Sequence, residues 1–202
     1  MPLPILGQRG PTEHTRREQI IEAADDHFRH YGYGKTTVAD LANAIGLSTA
    51  YIYKFFESKQ AIGEAVCRRC LTRVATELQA VVDDDKPATE RLRRVFLLKA
   101  RRAAEMFFHE RKLHEIVVAA QREQWGSMRA HDESLRAFVE RIVREGRETG
   151  EFERKTPLDE TCNGILLVFQ PFQNPILLAQ KLDDLDRDVA AITALVLRSL
   201  VP

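Results

Sequence analysis

Thr37-Val38-Ala39-Asp40-Leu41-Ala42-Asn43-Ala44-Ile45-Gly46-Leu47-Ser48-Thr49-Ala50-Tyr51-Ile52-Tyr53-Lys54 reads as two short helices joined by a tight turn. Thr37 and Ser48 are residue types that cap helix starts, and Gly46 lets the chain reverse where a Cβ would clash. The spacing predicts one helix from Thr37 to Ala44, a turn at Ile45-Gly46-Leu47, and a second helix from Ser48 to Lys54. Ile52 can anchor the second helix to a core, with Phe55 and Phe56 beyond it, while Thr49, Tyr51, Tyr53 and Lys54 are left outward. Such a face, small and polar at its head, suits close approach to base edges. The pattern is that of a helix-turn-helix.

Upstream, Ile20, Ile21, Ala24, Phe28 and Tyr31 fall on one helical face. Thr15-Arg16-Arg17-Glu18 has the capping-box form at its start, and Gly32 ends it. Downstream, Ser58 caps a long helix with Ile62, Val66, Leu71, Val74 and Leu78 on its apolar side. After the polar break Asp83-Asp84-Asp85-Lys86-Pro87, helices are expected at 88–108, 110–123 and 132–149. Thr156-Pro157-Leu158-Asp159 opens another, over 157–178, which Pro171 and Pro175 must kink or break. A last helix covers 184–200, and strand alternation is absent throughout. The expected fold is all-α with about nine helices: an N-terminal three-helix helix-turn-helix domain, then a larger helical domain. The expected divisions are an arm over 1–13, the first domain over 14–74 and the second over 75–202.

Composition narrows the function classes. The 202 residues carry 30 Lys+Arg against 30 Asp+Glu, so no polycationic character announces a nucleic-acid partner. A hydrophobic content of 44% is too high for a disordered chain. Apolar runs such as Ile165–Phe169 are far too short to span a membrane, and Met1-Pro-Leu-Pro-Ile-Leu-Gly does not read as a secretory leader. Three cysteines make no disulfide framework, so a reducing cytoplasm is expected.

Residues 14–74 closely resemble the DNA-binding domain of the TetR (tetracycline-repressor-like) family of bacterial transcriptional regulators. The resemblance is carried by Arg17–Ala24, Phe28, Tyr31-Gly32-Tyr33, Thr36–Ala42, Gly46-Leu47-Ser48 and Tyr51–Lys59. The chain departs from the family at Ala50, where glycine is usual, and at Tyr51, where Ser or Thr is usual. The resemblance implies a sequence-specific regulator, most simply a homodimeric repressor on a palindromic double-stranded operator, released by a small, largely apolar effector. It places Tyr53, Lys59 and Thr37 at phosphates and Thr49, Ala50, Tyr51 and Lys54 at the major groove, and counts Ser48 among the DNA-binding residues. Arg9 and Arg16 would belong to a basic arm and helix start near the minor groove. The last two long helices would form the dimer seam, through Ile165, Leu167, Val168, Ile192 and Val196. Met106, Phe107, Trp125, Met128, Phe138, Phe169, Phe172 and Gln173 would wall the effector pocket, which puts the single tryptophan beside the ligand. Location in the cytoplasm, on the nucleoid when operator-bound, would follow.

Other chemical signals are weak. Cys67-Arg68-Arg69-Cys70 lies mid-helix with no second CxxC, which suits packing better than metal or redox use. His109 and His114 are five apart and miss the HExxH spacing of a zinc protease. No phosphate-cradling loop, nucleophile elbow or carboxylate pair is present, so no catalytic residue, cofactor or metal is expected. The alternative class is a helical small-molecule carrier or enzyme with an incidental helix-turn-helix. A steep salt dependence of operator binding separates the two, because phosphate contacts release counterions.

Overall fold

In the computed structural model, which describes residues 13–109, 111–178 and 182–202, every regular element is helical. The described order is α1 Glu13–Tyr31, α2 Val38–Ala44, α3 Thr49–Ile52, α4 Lys59–Val82, α5 Ala88–His109, α6 Arg111–Arg122, α7 Gly126–Glu148, α8 Leu158–Gln173, α9 Pro175–Leu178 and α10 Leu185–Ser199. Where the sequence predicts a single helix over 157–178, two are present, α8 and α9. Pro171 lies inside α8 without ending it, and the break comes at Asn174, whose ψ of 119° is extended. Proline disfavours the helical region for the residue before it, so Pro175 turns Asn174 out of the helix and opens α9. Of the arm expected over 1–13, Glu13 already belongs to α1, and residues 1–12, Arg9 among them, lie outside the described residues.

Two other boundaries differ from expectation. Thr15 sits within α1, which already runs at Glu13. Helix α7 begins at Gly126 rather than 132, because the buried Trp125 ends the α6–α7 turn and sets the chain on its new course.

Two apolar clusters form the core. One gathers Ile20, Ala24 and Phe28 of α1, Leu41 of α2, Ile52 of α3 and the α4 residues Ile62 to Leu71. It also takes Ile116 and Ala120 of α6, with Trp125 and Met128 from the start of α7. The other holds Val74 to Val82 of α4 together with α5, the rest of α7, α8 and α10. There Phe96 and Phe169 stack nearly parallel. Helix α4 therefore passes from one cluster to the other between Leu71 and Val74.

Polar ties close the second cluster at its far end. Arg91 is buried and donates to the Val82 carbonyl at 2.8 Å and to Glu145 at 2.6 Å, joining α4, α5 and α7. The Glu151 carboxylate accepts from the Ala88 and Thr89 amides at 2.9 and 3.0 Å, satisfying orphan donors at the α5 start. Burial works to raise the Glu151 pKa, but these hydrogen bonds outweigh it and hold the carboxyl below its ordinary value.

Candidate functional site

The helix-turn-helix is built largely by local bonds. At the α2 start the Thr37 amide and hydroxyl both donate to Asp40 Oδ2, at 2.8 and 2.7 Å, and the Asp40 amide donates back to the hydroxyl at 3.1 Å. This reciprocal cap, and chiefly the hydroxyl's bond, lowers the Asp40 pKa. It also corrects the expectation for Thr37: both its donors are engaged by a carboxylate, so the uncapped amides of Val38 and Ala39 are the ones left for an anion. Gly46 turns the chain at φ +65°, a conformation that favours glycine. Ser48 accepts from the Tyr51 amide at 3.1 Å and so starts α3. Ile52 is wholly buried and fixes the helix to the first cluster.

This leaves the other α3 side chains turned outward. Ala50, Lys54 and Tyr53 are exposed, and Thr49 and Tyr51 are half-buried. Tyr51 packs edge-on against Phe55, and the Lys54 ammonium lies 5.5 Å over the Tyr51 ring. Regular helix ends at Ile52, one turn long, so Tyr53 and Lys54 lie in the turn that follows. Lys59 is drawn inward: its ammonium lies 4.5 Å over the Tyr33 ring and 3.5 Å from the Gly34 carbonyl. Burial lowers its pKa, and Asp40 partly offsets that. Arg16 donates to Gln19 at 3.0 Å on the outer face of α1. Arg17, read from sequence only as part of a basic helix start, clamps the domain. It donates to the Phe55 carbonyl at 2.8 Å and lies 4.1 Å over the Phe56 ring.

A small cavity of about 40 Å³ lies where the two clusters meet. Helices α4, α5, α6, α7 and α8 all contribute, and Met106, Met128 and Gln173 among the expected pocket residues reach it. The others do not line it. Trp125 belongs to the first cluster, edge-on to Tyr33 and donating to Glu123 at 2.8 Å. Phe169 and Phe172 pack in the second cluster, Phe138 lies partly buried against that cluster, and Phe107 meets His114 edge-on. The aromatic residues are claimed by helix–helix packing because their large apolar area is best buried against several neighbours.

Sequence reasoning missed the polar lining, Lys99, Arg102, His114 and His131. A signal existed. Lys99 interrupts the stripe Leu92, Val95, Phe96, Ala103, Met106, and His131 interrupts Met128, Leu135, Val139, Ile142. Burial drives the His131 pKa down to about 3, with Lys99 adding to the effect. The unfolded histidine takes a proton near pH 6.5 and the folded one does not, so stability attached to the neutral ring falls as pH drops below that value. Between pH 7 and pH 5 the loss is expected to be about 2 kcal/mol. Urea titrations of the chain and of His131→Gln at both pH values check this, the variant losing about 2 kcal/mol less than the parent.

The expected dimer residues divide. Ile165 and Val196 are buried within the monomer, and Ile192 packs against its core. Leu167 and Val168 on α8 stand 59% and 40% exposed, and Leu195 on α10, absent from the expectation, 56%. Cys67 and Cys70 are both buried in α4, and burial pushes the Cys67 thiol up to about 11, away from thiolate chemistry. Among the described residues no His, Cys, Asp and Glu group is arranged to hold a metal ion, and no helix is long and apolar enough to cross a membrane.

Comparison with known proteins agrees with this architecture. Residues 20–66 match the family described as bacterial regulatory proteins, tetR family, and residues 88–193 match the tetracyclin repressor-like C-terminal domain. Over 60 residues the chain is 42% identical to the HTH-type transcriptional repressor Rv1474c of Mycobacterium tuberculosis, covering 30% of this chain and 32% of that one. Over 90 residues it is 31% identical to the nucleoid occlusion factor SlmA of Vibrio campbellii, covering 44% and 46%. The match thus spans about a third to a half of the length of these curated relatives. The fold is shared with Thermus thermophilus FadR, a TetR-family repressor solved with lauroyl-CoA, at TM-score 0.66 and 20% identity over 93% of this chain and 96% of that one. The chain belongs to the TetR family of bacterial transcriptional regulators.

Proposed function

We propose that this regulator is a homodimeric repressor that grips a palindromic operator through α3 and is released by a small, largely apolar ligand entering the cavity between the clusters. The observation that carries the reading is the unbroken course of α4. It starts at Lys59 beside the helix-turn-helix, passes the cavity at Leu71 and Val74, and ends at Val82. At 1.5 Å per residue such a helix is a rod of about 36 Å joining effector to DNA. The cavity volume suits about one water molecule, so any larger ligand enters only by parting helices. That gives the ligand unequal affinity for two shapes, which release from DNA requires. The lauroyl-CoA bound by Thermus thermophilus FadR supports a ligand with an extended apolar part. In this reading Tyr53 meets a phosphate, Lys59 reaches one by swinging off the Tyr33 ring, Thr49, Ala50, Tyr51 and Lys54 read bases, and the protein works in the cytoplasm on the nucleoid.

Footprinting on the DNA upstream of the gene and its neighbour tests the reading. Protection of two symmetric half-sites, with affinity falling steeply as salt rises, is the expected result. Lys59→Ala should weaken binding to all sequences alike and reduce the salt slope by about one, because one phosphate contact is lost. Tyr51→Ala or Lys54→Ala should instead change the preferred base at one or two positions. Protection without symmetry, or a Lys59→Ala variant with altered sequence preference and an intact salt slope, would show the docking to be wrong.

A further inference from the structure

The cavity between the clusters holds more donor capacity than its own acceptors satisfy. Lys99 enters it from α5 and, like Arg91, is more than nine-tenths buried. Among the described residues it makes no ion pair and no hydrogen bond, and Asp132, which favours its charge, stays beyond ion-pair distance. His131 is 5% exposed, and neither ring nitrogen has a hydrogen-bond partner. The amide nitrogen of Gln173 is likewise buried without a partner. Arg102, the other cation of the lining, is already neutralised by Glu77 and Glu105, each at 2.5 Å.

Buried polar groups are normally paired, and an unpaired buried cation is costlier than an unpaired amide. Three donors on three different helices, converging on one cavity, are what an anionic acceptor needs. Resting on the repressor reading above, we infer that the effector is a monocarboxylic acid. Its carboxylate is held by Lys99, His131 and Gln173, and its apolar remainder lies against Val74, Met106 and Met128. The charge count selects this class. Lys99 has no carboxylate within ion-pair distance, only the longer-range charge of Asp132, so it can take one negative charge directly, whereas a phosphate dianion would bring a second charge with Arg102 already paired. A neutral apolar ligand would shut Lys99 off from solvent and return no hydrogen bond or charge to it. Burial already lowers the Lys99 pKa, and a bound carboxylate reverses that, so acid binding and lysine protonation support each other.

The test uses the full chain with straight-chain fatty acids of four to twelve carbons, the alcohols of the same lengths, and dodecanoyl-CoA. Each is followed by thermal shift and by operator affinity, after operator binding of the unliganded protein has been measured on its own. Acids of the fitting length should raise Tm and weaken operator binding over one concentration range, and the matching alcohols should bind at least about tenfold more weakly. Lys99→Met should cost roughly ten- to a hundredfold in acid affinity and erase the preference over the alcohol. Gln173→Leu, a smaller change, should cost less while keeping the preference.

Alcohols or the CoA thioester binding as tightly as the acids would overturn the assignment. So would a Lys99→Met protein that keeps the preference, or a series in which no acid shifts Tm. A protein that binds no operator yet prefers acids through Lys99 would defeat the repressor reading and leave the carboxylate site standing.

Discussion

Leu167→Glu is expected to divide the protein into monomers and to lower operator affinity by about 10²- to 10⁴-fold, the advantage that a linked pair of binding modules ordinarily holds over separate ones. Leu167 and Val168 share an outer face of α8 with Gly164 and Pro171, at spacings of three, four and seven residues. They stand 59% and 40% exposed, with Leu195 of α10 also outward, an apolar surface that water disfavours and a second copy can cover. In the proposed homodimer a two-fold axis would present the same patch of each copy to the other, so one substitution would place two carboxylates in the seam. The monomer should remain folded, because Leu167 contributes little to its core. Val196→Glu should behave differently: Val196 is 6% exposed, and a charge there is buried inside the subunit, giving an unfolded or insoluble chain rather than a monomer. Sedimentation at micromolar concentration and an operator titration decide the matter. A Leu167→Glu protein that stays dimeric with parental operator affinity would place the seam elsewhere.

Gly63→Val should cost about 3 kcal/mol or more. Two effects oppose one another at this position. Replacing a glycine inside a helix such as α4 gains up to about 1 kcal/mol from backbone propensity. Against that, a Cβ at residue 63 would lie 2.8 Å from the Tyr33 ring and 2.9 Å from the Trp125 ring. Neither ring can easily retreat. Tyr33 is wedged edge-on between Phe28 and Trp125, and the Trp125 indole is pinned through its bond to Glu123. Overpacking costs about 1–3 kcal/mol and sometimes more, and valine adds two methyl groups with a stiff χ1, so the clash wins. Alanine at the same site should lose less. Because Trp125 is the only tryptophan, its emission reports the repacking directly while urea midpoints report the energy. An unchanged midpoint and spectrum would mean that α4 yields at this point without cost.

The same tryptophan shows where sequence reading stops. Placed beside a ligand by resemblance, Trp125 instead locks the α6–α7 turn onto α4 and Tyr33, within the cluster that supports the helix-turn-helix. Nothing in its immediate neighbours marks that role, since its partners lie about sixty and ninety residues away in the chain. The inward displacement of Lys59 onto Tyr33 is of the same kind, and so is the gathering of Lys99, His131 and Gln173 from three helices.

The sequence by itself determined the helical class, the α2–turn–α3 unit and the register of its outward residues. Capping by Thr37 and Ser48, the reversal at Gly46 and the apolar spacing through Ile52 act over a few residues and need no distant partner. Only the tertiary structure decided which side of an element apolar all round faces inward. In Gly164–Phe169, Ile165 and Phe169 went to the core and Leu167 and Val168 to the surface. Local bonding sets which residues share a helical face, but which face is buried depends on the packing free energy offered by helices far away in the chain.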